Sequence, residues 1–173
     1  MKIAPEAPAD RSAIRRVNTL AFGQTNEADL VESLGASVRG TISLVACEGP
    51  EIIGHIFFSP VTVETGAGGE GAPTWSAVAL GPMAVLPARQ RQGAGSALVR
   101  AGMEECRRRA ETVVFVLGHP AFYPRFGFVT ATPLGILCEF PVPEGVFMVA
   151  ELTASALRGR SGLVRYHPLF QTV

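Results

Sequence analysis

Charge of either sign is scarce in this chain. Only 17% of its 173 residues are charged, and fifteen basic residues balance fifteen acidic ones, for a formal net charge of zero and a pI near 6.8. A nucleic-acid partner calls for a basic surplus, so the balance argues against one. The dense basic run Arg107-Arg108-Arg109 reads as a solvated helix face. Cysteine is sparse as well: Cys47, Cys106 and Cys138 are odd in number and far apart. No Cys-x-x-Cys or Cys/His ligand spacing occurs, which argues against a zinc site or any other metal. Each cysteine sits in apolar surroundings and reads as a small buried residue. The opening "MKIAPEAPADRS" lacks the apolar core of a signal peptide. The uncharged stretch from Gly71 to Ala88 is broken by Pro73, Gly81, Pro82 and Pro87, so it does not span a membrane. A cytoplasmic protein without a membrane partner is the expectation. What the chain has in quantity is apolar residues, 47% of the total, which rules out disorder as a general description. One domain covering residues 1–173 is expected, with no repeats or linkers.

Periodicity orders the elements. Lys2–Ala4 reads as a short strand. Ala9–Phe22 reads as a helix, with Ile14, Val17, Leu20 and Ala21 on one side and Asp10 or Ser12 as cap. Asn26–Leu34 follows as a second helix, and Gly35 and Gly40 bracket its exit. The period then changes. Thr41–Glu48 and Glu51–Glu64 flank Gly49-Pro50 and read as a β-hairpin. Thr65–Pro73 is a flexible hairpin loop, and Thr74–Val85 a third strand whose Gly81-Pro82 predicts a bulge or kink. A helix runs from Gly93 to about Ala110, with Ala94, Ala97, Leu98 and Ala101 on its packing face and Arg100, Glu104, Arg107, Arg108 and Glu111 on its polar stripe. Thr112–Gly118 is a buried strand, His119–Phe128 an aromatic turn, and Gly135–Glu139 and Val146–Glu151 are further strands. The C-terminal "LRGRSGLVRYHPLF" reads as irregular. The order predicts an α/β fold with a mixed, mostly antiparallel sheet flanked by helices.

Chemistry concentrates at Gln90-Arg91-Gln92-Gly93-Ala94-Gly95, between a strand and a helix. Backbone N–H groups at a helix start have no intrahelical partner, and the helix dipole adds positive charge there. Glycines at 93 and 95 let a phosphate approach without meeting a Cβ. A Walker A loop is excluded because Ser96 and Ala97, not a lysine, follow Gly95. A dinucleotide fingerprint fails too: Leu98 holds its third small position, and the next strand ends in Gly118-His119 rather than an acid. What remains is Gln-x-x-Gly-x-Gly.

Gln90-x-x-Gly93-x-Gly95, after a strand ending Val85-x-Pro87 and before Ser96-Ala97-Leu98-Val99, resembles the acetyl-CoA motif of the GNAT superfamily of N-acetyltransferases. Tyr123-x-x-x-Gly127-Phe128 is similar to the signature that closes the same family's site, and the surrounding wording is most similar to the YhbS-like branch. The likeness covers Thr41–Phe128 well and both ends loosely. It implies an acetyl-CoA-dependent N-acetyltransferase. Backbone groups of Met83, Ala84 and Val85 would then hold the pantetheine arm, with an N–H near Met83 polarising the thioester carbonyl. Amides of Arg91, Gln92, Gly93, Ala94, Gly95 and Ser96 would hold the pyrophosphate. Tyr123 matches the family's general acid for the departing thiolate, alternatively an aromatic packing residue among Phe122, Phe126 and Phe128.

The base is open. Many family members carry a Glu on the strand corresponding to Thr112–Leu117 and an Asn just after it, whereas this chain has no acid there and continues Gly118-His119-Pro120. His119 is the first candidate for base or cofactor contact, with His55 and Glu64 behind it as strand residues that could equally face solvent or serve as hydrogen-bond partners. A water relay serves as well, and an α-amine near pKa 8 hardly needs help. The acceptor class is a small-molecule or peptide amine, with the Thr65–Pro73 loop and the first two helices as its cleft. The apolar "GVFMVAEL" strand could pair across a homodimer. Two other classes stay in view: a non-catalytic acyl-CoA-binding module on the same fold, and an ordinary α/β nucleotide-binding protein.

Overall fold

The computed structural model describes residues 1–66 and 71–172. Among them lie nine strands and three α-helices. They run in the order β1 (Lys2–Pro5), α1 (Arg11–Phe22), α2 (Asn26–Ser37), β2 (Ile42–Glu48), β3 (Glu51–Glu64), β4 (Thr74–Val85), α3 (Ala94–Arg108), β5 (Val113–Leu117), β6 (Val129–Thr130), β7 (Ile136–Cys138), β8 (Phe147–Glu151) and β9 (Gly162–Arg165). Hydrogen-bonded strand order is β1-β2-β3-β4-β5-β8-β6, with β9 pairing β3 and β7. The pairings are mostly antiparallel; β4–β5 and β7–β9 are parallel. This is the expected α/β class. No helix among the described residues is long and apolar enough to cross a membrane.

The chain gathers into two compact units that share β3, β4 and α3. The first comprises Met1–Ser59, Gly81–Glu105 and the C-terminal 3₁₀ turn. In it α1 buries Ile14, Val17 and Asn18. Leu20, expected on that side, is exposed because it lies about 100° round the helix from it. Asp10 does not cap α1 through its side chain; its carboxylate instead accepts the Ala7 N–H at 2.8 Å and closes a preceding 3₁₀ turn. α2 continues through Gly35 to Ser37, since nothing at Gly35 obliges a stop. The hairpin β2–β3 has its turn at Gly49 (φ +58).

α3 packs closer than its alanines suggested. Ala94, Leu98, Val99, Gly102, Met103 and Cys106 form its buried face, while Ala97 and Ala101 are only half-buried flank. The closest approach is through glycine. A Cβ at Gly102 would strike the ring of Phe58, and one at Gly54 would meet Leu98 Cδ1 at 3.0 Å and the Ala84 carbonyl at 3.2 Å. Arg107, Arg108 and Arg109 are exposed, as their spacing predicts.

The second unit comprises Pro60–Leu80 and Cys106–His167. Its core joins Val61, Val63, Ala77, Ala79, Val113, Phe115, Phe147, Val149 and Val164, with Phe115 and Phe147 stacked at 5.6 Å. Thr65 donates from N and Oγ1 to the Pro73 carbonyl, at 2.9 and 2.7 Å, closing the β3–β4 loop. The loop's residues 67–70 lie outside the described ones. The β4–β5 ladder ends at Leu80, just before the cis Gly81-Pro82 step, where Gly81 adopts φ +153.

Three readings are corrected here. The stretch taken as irregular contains β9, which pairs Val63 with Val164 and Leu137 with Leu163. Four residues opening on a glycine are too few for periodicity to reveal. β8 is not free to pair across a dimer along its whole length, because Met148 and Val149 are engaged by Thr130 and Val129 on one side and by β5 on the other. Of the cysteines only Cys106 is buried; Cys47 and Cys138 are half-buried, and partial burial raises the Cys138 thiol above its ordinary pKa.

Candidate active site

The loop between β4 and α3 is held from behind. Leu86 donates its N–H to the Ile53 carbonyl at 2.9 Å, and a 3₁₀ turn follows at Pro87–Arg89, where proline presets the first φ. Arg89 pairs with Glu48 at 2.9 Å and reaches Glu51 at 3.7 Å. The two glutamines bond back onto their own loop, Gln90 Nε2 to the Val85 carbonyl and Gln92 Nε2 to the Ala88 carbonyl, each at 3.1 Å. Gln90, expected to touch the cofactor, thus spends its side chain bracing the end of β4.

Arg91 sits at φ +60 and Gly93 at φ +92. α3 then begins at Ala94, and its entering bond runs from the Ala97 N–H to the Gly93 carbonyl at 3.0 Å. Among the described residues, the N–H groups of Arg91, Gln92, Gly93, Ala94, Gly95 and Ser96 meet no backbone acceptor. Left-handed residues alternating with ordinary ones are the backbone pattern of an anion-binding nest, and the α3 dipole adds positive charge at this end. Arg91, Gln92 and Gly93 are exposed to solution. Upstream on β4, Ala84 is buried, while Met83 and Val85 are half-buried.

In the other unit β5 ends at Leu117, and the Gly118 N–H bonds to the Val146 carbonyl at 2.9 Å. His119 is exposed, and its carbonyl accepts the N–H groups of Phe122 (2.9 Å) and Tyr123 (3.4 Å). A 3₁₀ turn, Tyr123–Phe126, closes at Gly127 (φ +89). Tyr123 is buried with its ring edge-on to Phe122 at 5.0 Å and Phe128 at 5.6 Å. Burial pushes its phenol up to about 12. The Arg125 guanidinium lies 4.8 Å from the Phe122 ring centre. His119 and Tyr123 therefore share one turn.

The two weaker base candidates are committed elsewhere. His55 is fully buried, and desolvation lowers its pKa to about 3. Its Nδ1 lies 3.1 Å from Asn18 Nδ2 and its Nε2 2.9 Å from Ser43 Oγ, which donates to Glu6 at 2.5 Å. Glu64 is bound by Arg165 Nε at 3.0 Å, and Arg165 also reaches Glu139 at 3.4 Å. Nothing in local spacing pointed to Asn18 in α1, Ser43 in β2 or Glu6 just after β1. Among the described residues no three His, Cys, Asp or Glu side chains gather as a metal cluster.

A mixed sheet with a strand–loop–helix junction whose first amides meet no backbone acceptor is the framework of an α/β protein, and comparison with known proteins narrows that class. The acetyltransferase (GNAT) domain model matches residues 39–130. YjhQ of Escherichia coli, an uncharacterized N-acetyltransferase, is 39% identical over 155 residues, 86% of this chain and 83% of its own. The uncharacterized N-acetyltransferase YhbS of Escherichia coli is 36% identical over 98% of both chains. The crystal structure of YhbS in complex with CoA matches with a TM-score of 0.88 at 33% identity, covering 98% of this chain and 91% of that one. A GNAT family acetyltransferase from Brucella melitensis, in complex with acetyl-CoA, matches with a TM-score of 0.74 at 31% identity, over 98% and 97% of the two chains. The chain belongs to the GNAT acetyltransferase family, as its two motifs led one to expect.

Proposed function

We propose that the chain moves an acetyl group from acetyl-CoA to a primary amine by direct attack, with both substrates bound together. The supporting observation is the row of unpaired amides from Arg91 to Ser96 around Gly93, free to receive a diphosphate. YhbS and the Brucella protein, similar over nearly the whole chain, were crystallised with CoA and acetyl-CoA. In this reading residues 1–173 act as one acetyltransferase domain, consistent with a family match that runs through segments of both units.

The roles follow from chemistry. Backbone groups of Met83, Ala84 and Val85 hold the pantetheine arm, and an N–H near Met83 stabilises negative charge growing on the thioester oxygen. The neutral amine nitrogen forms a bond to the carbonyl carbon, the C–S bond breaks, and the sulfur leaves as thiolate. The Tyr123 hydroxyl gives its proton to that thiolate. A phenol raised to about 12 stays protonated at neutral pH, so the donor is always loaded. His119, exposed beside the same turn, is the residue proposed to take the amine's proton. His55 is too weak a base for that, and Glu64 is already engaged by Arg165. The acceptor is a small-molecule or peptide amine.

Calorimetric titration with CoA, acetyl-CoA, ATP and NAD tests the cradle, and mass spectrometry of an amine panel tests transfer. CoA and acetyl-CoA should bind, and Gly93→Val, a β-branched residue forced to φ +92, should abolish that binding. Tyr123→Phe should lower kcat by about a hundredfold while CoA affinity stays within about twofold. Binding of ATP or NAD alone would remove the proposal. Tight CoA binding with no turnover of any amine would leave a binding module instead.

A further inference from the structure

Gly118 stands where the family resemblance led one to expect a side chain, and its backbone does not call for glycine. It is absent from the residues with positive φ, so an L-residue could adopt its conformation. Space is what forbids one. A Cβ built on Gly118 would fall inside contact distance of Cδ2 and Cε2 of the Tyr123 ring. Neither partner has room to retreat. The Gly118 backbone is held by its N–H bond to the Val146 carbonyl, and the turn carrying Tyr123 by the 2.9 Å bond from the Phe122 N–H to the His119 carbonyl. The ring itself is flanked edge-on by Phe122 and Phe128.

We infer that Gly118 is a positioning residue for proton donation: the absent side chain is the seat against which the Tyr123 ring lies, and it fixes where the hydroxyl points. The inference rests on the proposal that Tyr123 is the proton donor, and its test separates the two. Bare backbone at 118 lets the ring lie close beside the end of β5, where Tyr123 is buried from water. Any side chain there must lift the ring out, carrying the hydroxyl towards solvent and away from its working position.

Only two tyrosines, Tyr123 and Tyr166, exist to absorb as phenolates, and burial raises the pKa of both. In the wild type no phenol should therefore titrate near pH 10. In Gly118→Ala one phenol should titrate near 10, the value for a solvated tyrosine, and that signal should vanish in Gly118→Ala/Tyr123→Phe. Displacement of the hydroxyl should lower kcat on the order of a hundredfold, with CoA affinity unchanged. Adding Gly118→Ala to Tyr123→Phe should cost no further activity. If Gly118→Ala keeps both the silent titration and the wild-type kcat, Gly118 seats nothing, whatever Tyr123 does. If the titration moves but Tyr123→Phe retains full kcat, the seat is real and the donor role of Tyr123 is lost. Should Gly118→Ala fail to fold, Gly118→Ala/Tyr123→Ala should fold, because the obstructing ring is gone. Failure of that double variant, where Tyr123→Ala alone folds, would overturn the inference.

Discussion

At the scale of single residues, His55 has the most constrained chemistry. Asn18 Nδ2 donates to the Ile14 carbonyl at 2.9 Å and faces His55 Nδ1 at 3.1 Å, so Nδ1 must accept. The ring proton then belongs on Nε2, which donates to Ser43 Oγ; Ser43 in turn donates to the Glu6 carboxylate. Every donor faces an acceptor only while the imidazole is neutral. An unfolded histidine titrates near 6.5, but the folded one near 3. Below 6.5 the unfolded chain binds a proton that the folded chain refuses, so stability is lost as pH falls from about 6.5 towards 3. The slope from this residue reaches about 1.4 kcal/mol per pH unit. Urea unfolding at pH 7, 5.5 and 4.5 should show that slope, and His55→Leu, though less stable at pH 7, should flatten it. An unchanged slope in the variant would assign the effect to other groups.

Among elements, the packing of α3 on β3 turns on two glycines. Gly102 on the helix meets the buried ring of Phe58, and Gly54 on the strand meets Leu98. Alanine in place of a mid-helix glycine ordinarily stabilises by about 1 kcal/mol. Here the added methyl enters the space of a fully buried ring, and overpacking costs about 1–3 kcal/mol. Gly102→Ala should therefore lower the melting temperature, and in a Phe58→Leu background the same change should become neutral or stabilising. Denaturation of the four proteins of that cycle measures the coupling, and additivity within about 0.5 kcal/mol would refute it. The elements themselves were largely legible. The bounds of β3 and β4 were read from the turn residues that flank their apolar runs, and α3 from the helical spacing after Gly93. What failed was the choice of face: small alanines suggested contact at Ala97 and Ala101, whereas packing selected Gly102, a residue with no side chain to signal it.

At the scale of the whole molecule, a ligand that binds only the folded chain raises its stability by mass action. Acetyl-CoA at a hundred times its dissociation constant should add about 2.7 kcal/mol. At about 2–4 °C per kcal/mol for a chain of this size, the melting temperature should rise by several degrees. NAD at the same concentration should leave it unmoved, and so should acetyl-CoA with Gly93→Val. Equal shifts with both ligands would show that the loop does not discriminate.

The sequence by itself pointed to the family and to the strand–loop–helix junction at Arg91 to Ser96, because these depend on local matters: glycine spacing, helix polarity and the order of elements. It also singled out Tyr123, since the motif around it is contiguous. Tertiary structure alone decided that His55 is a buried neutral relay rather than a base, that Glu64 belongs to Arg165, and that Gly118 and Gly102 are vacated for aromatic rings. Asn18 and His55 are 37 residues apart, as are Glu6 and Ser43. Burial and partnership across such separations arise when strands and helices pack, and no local spacing encodes them.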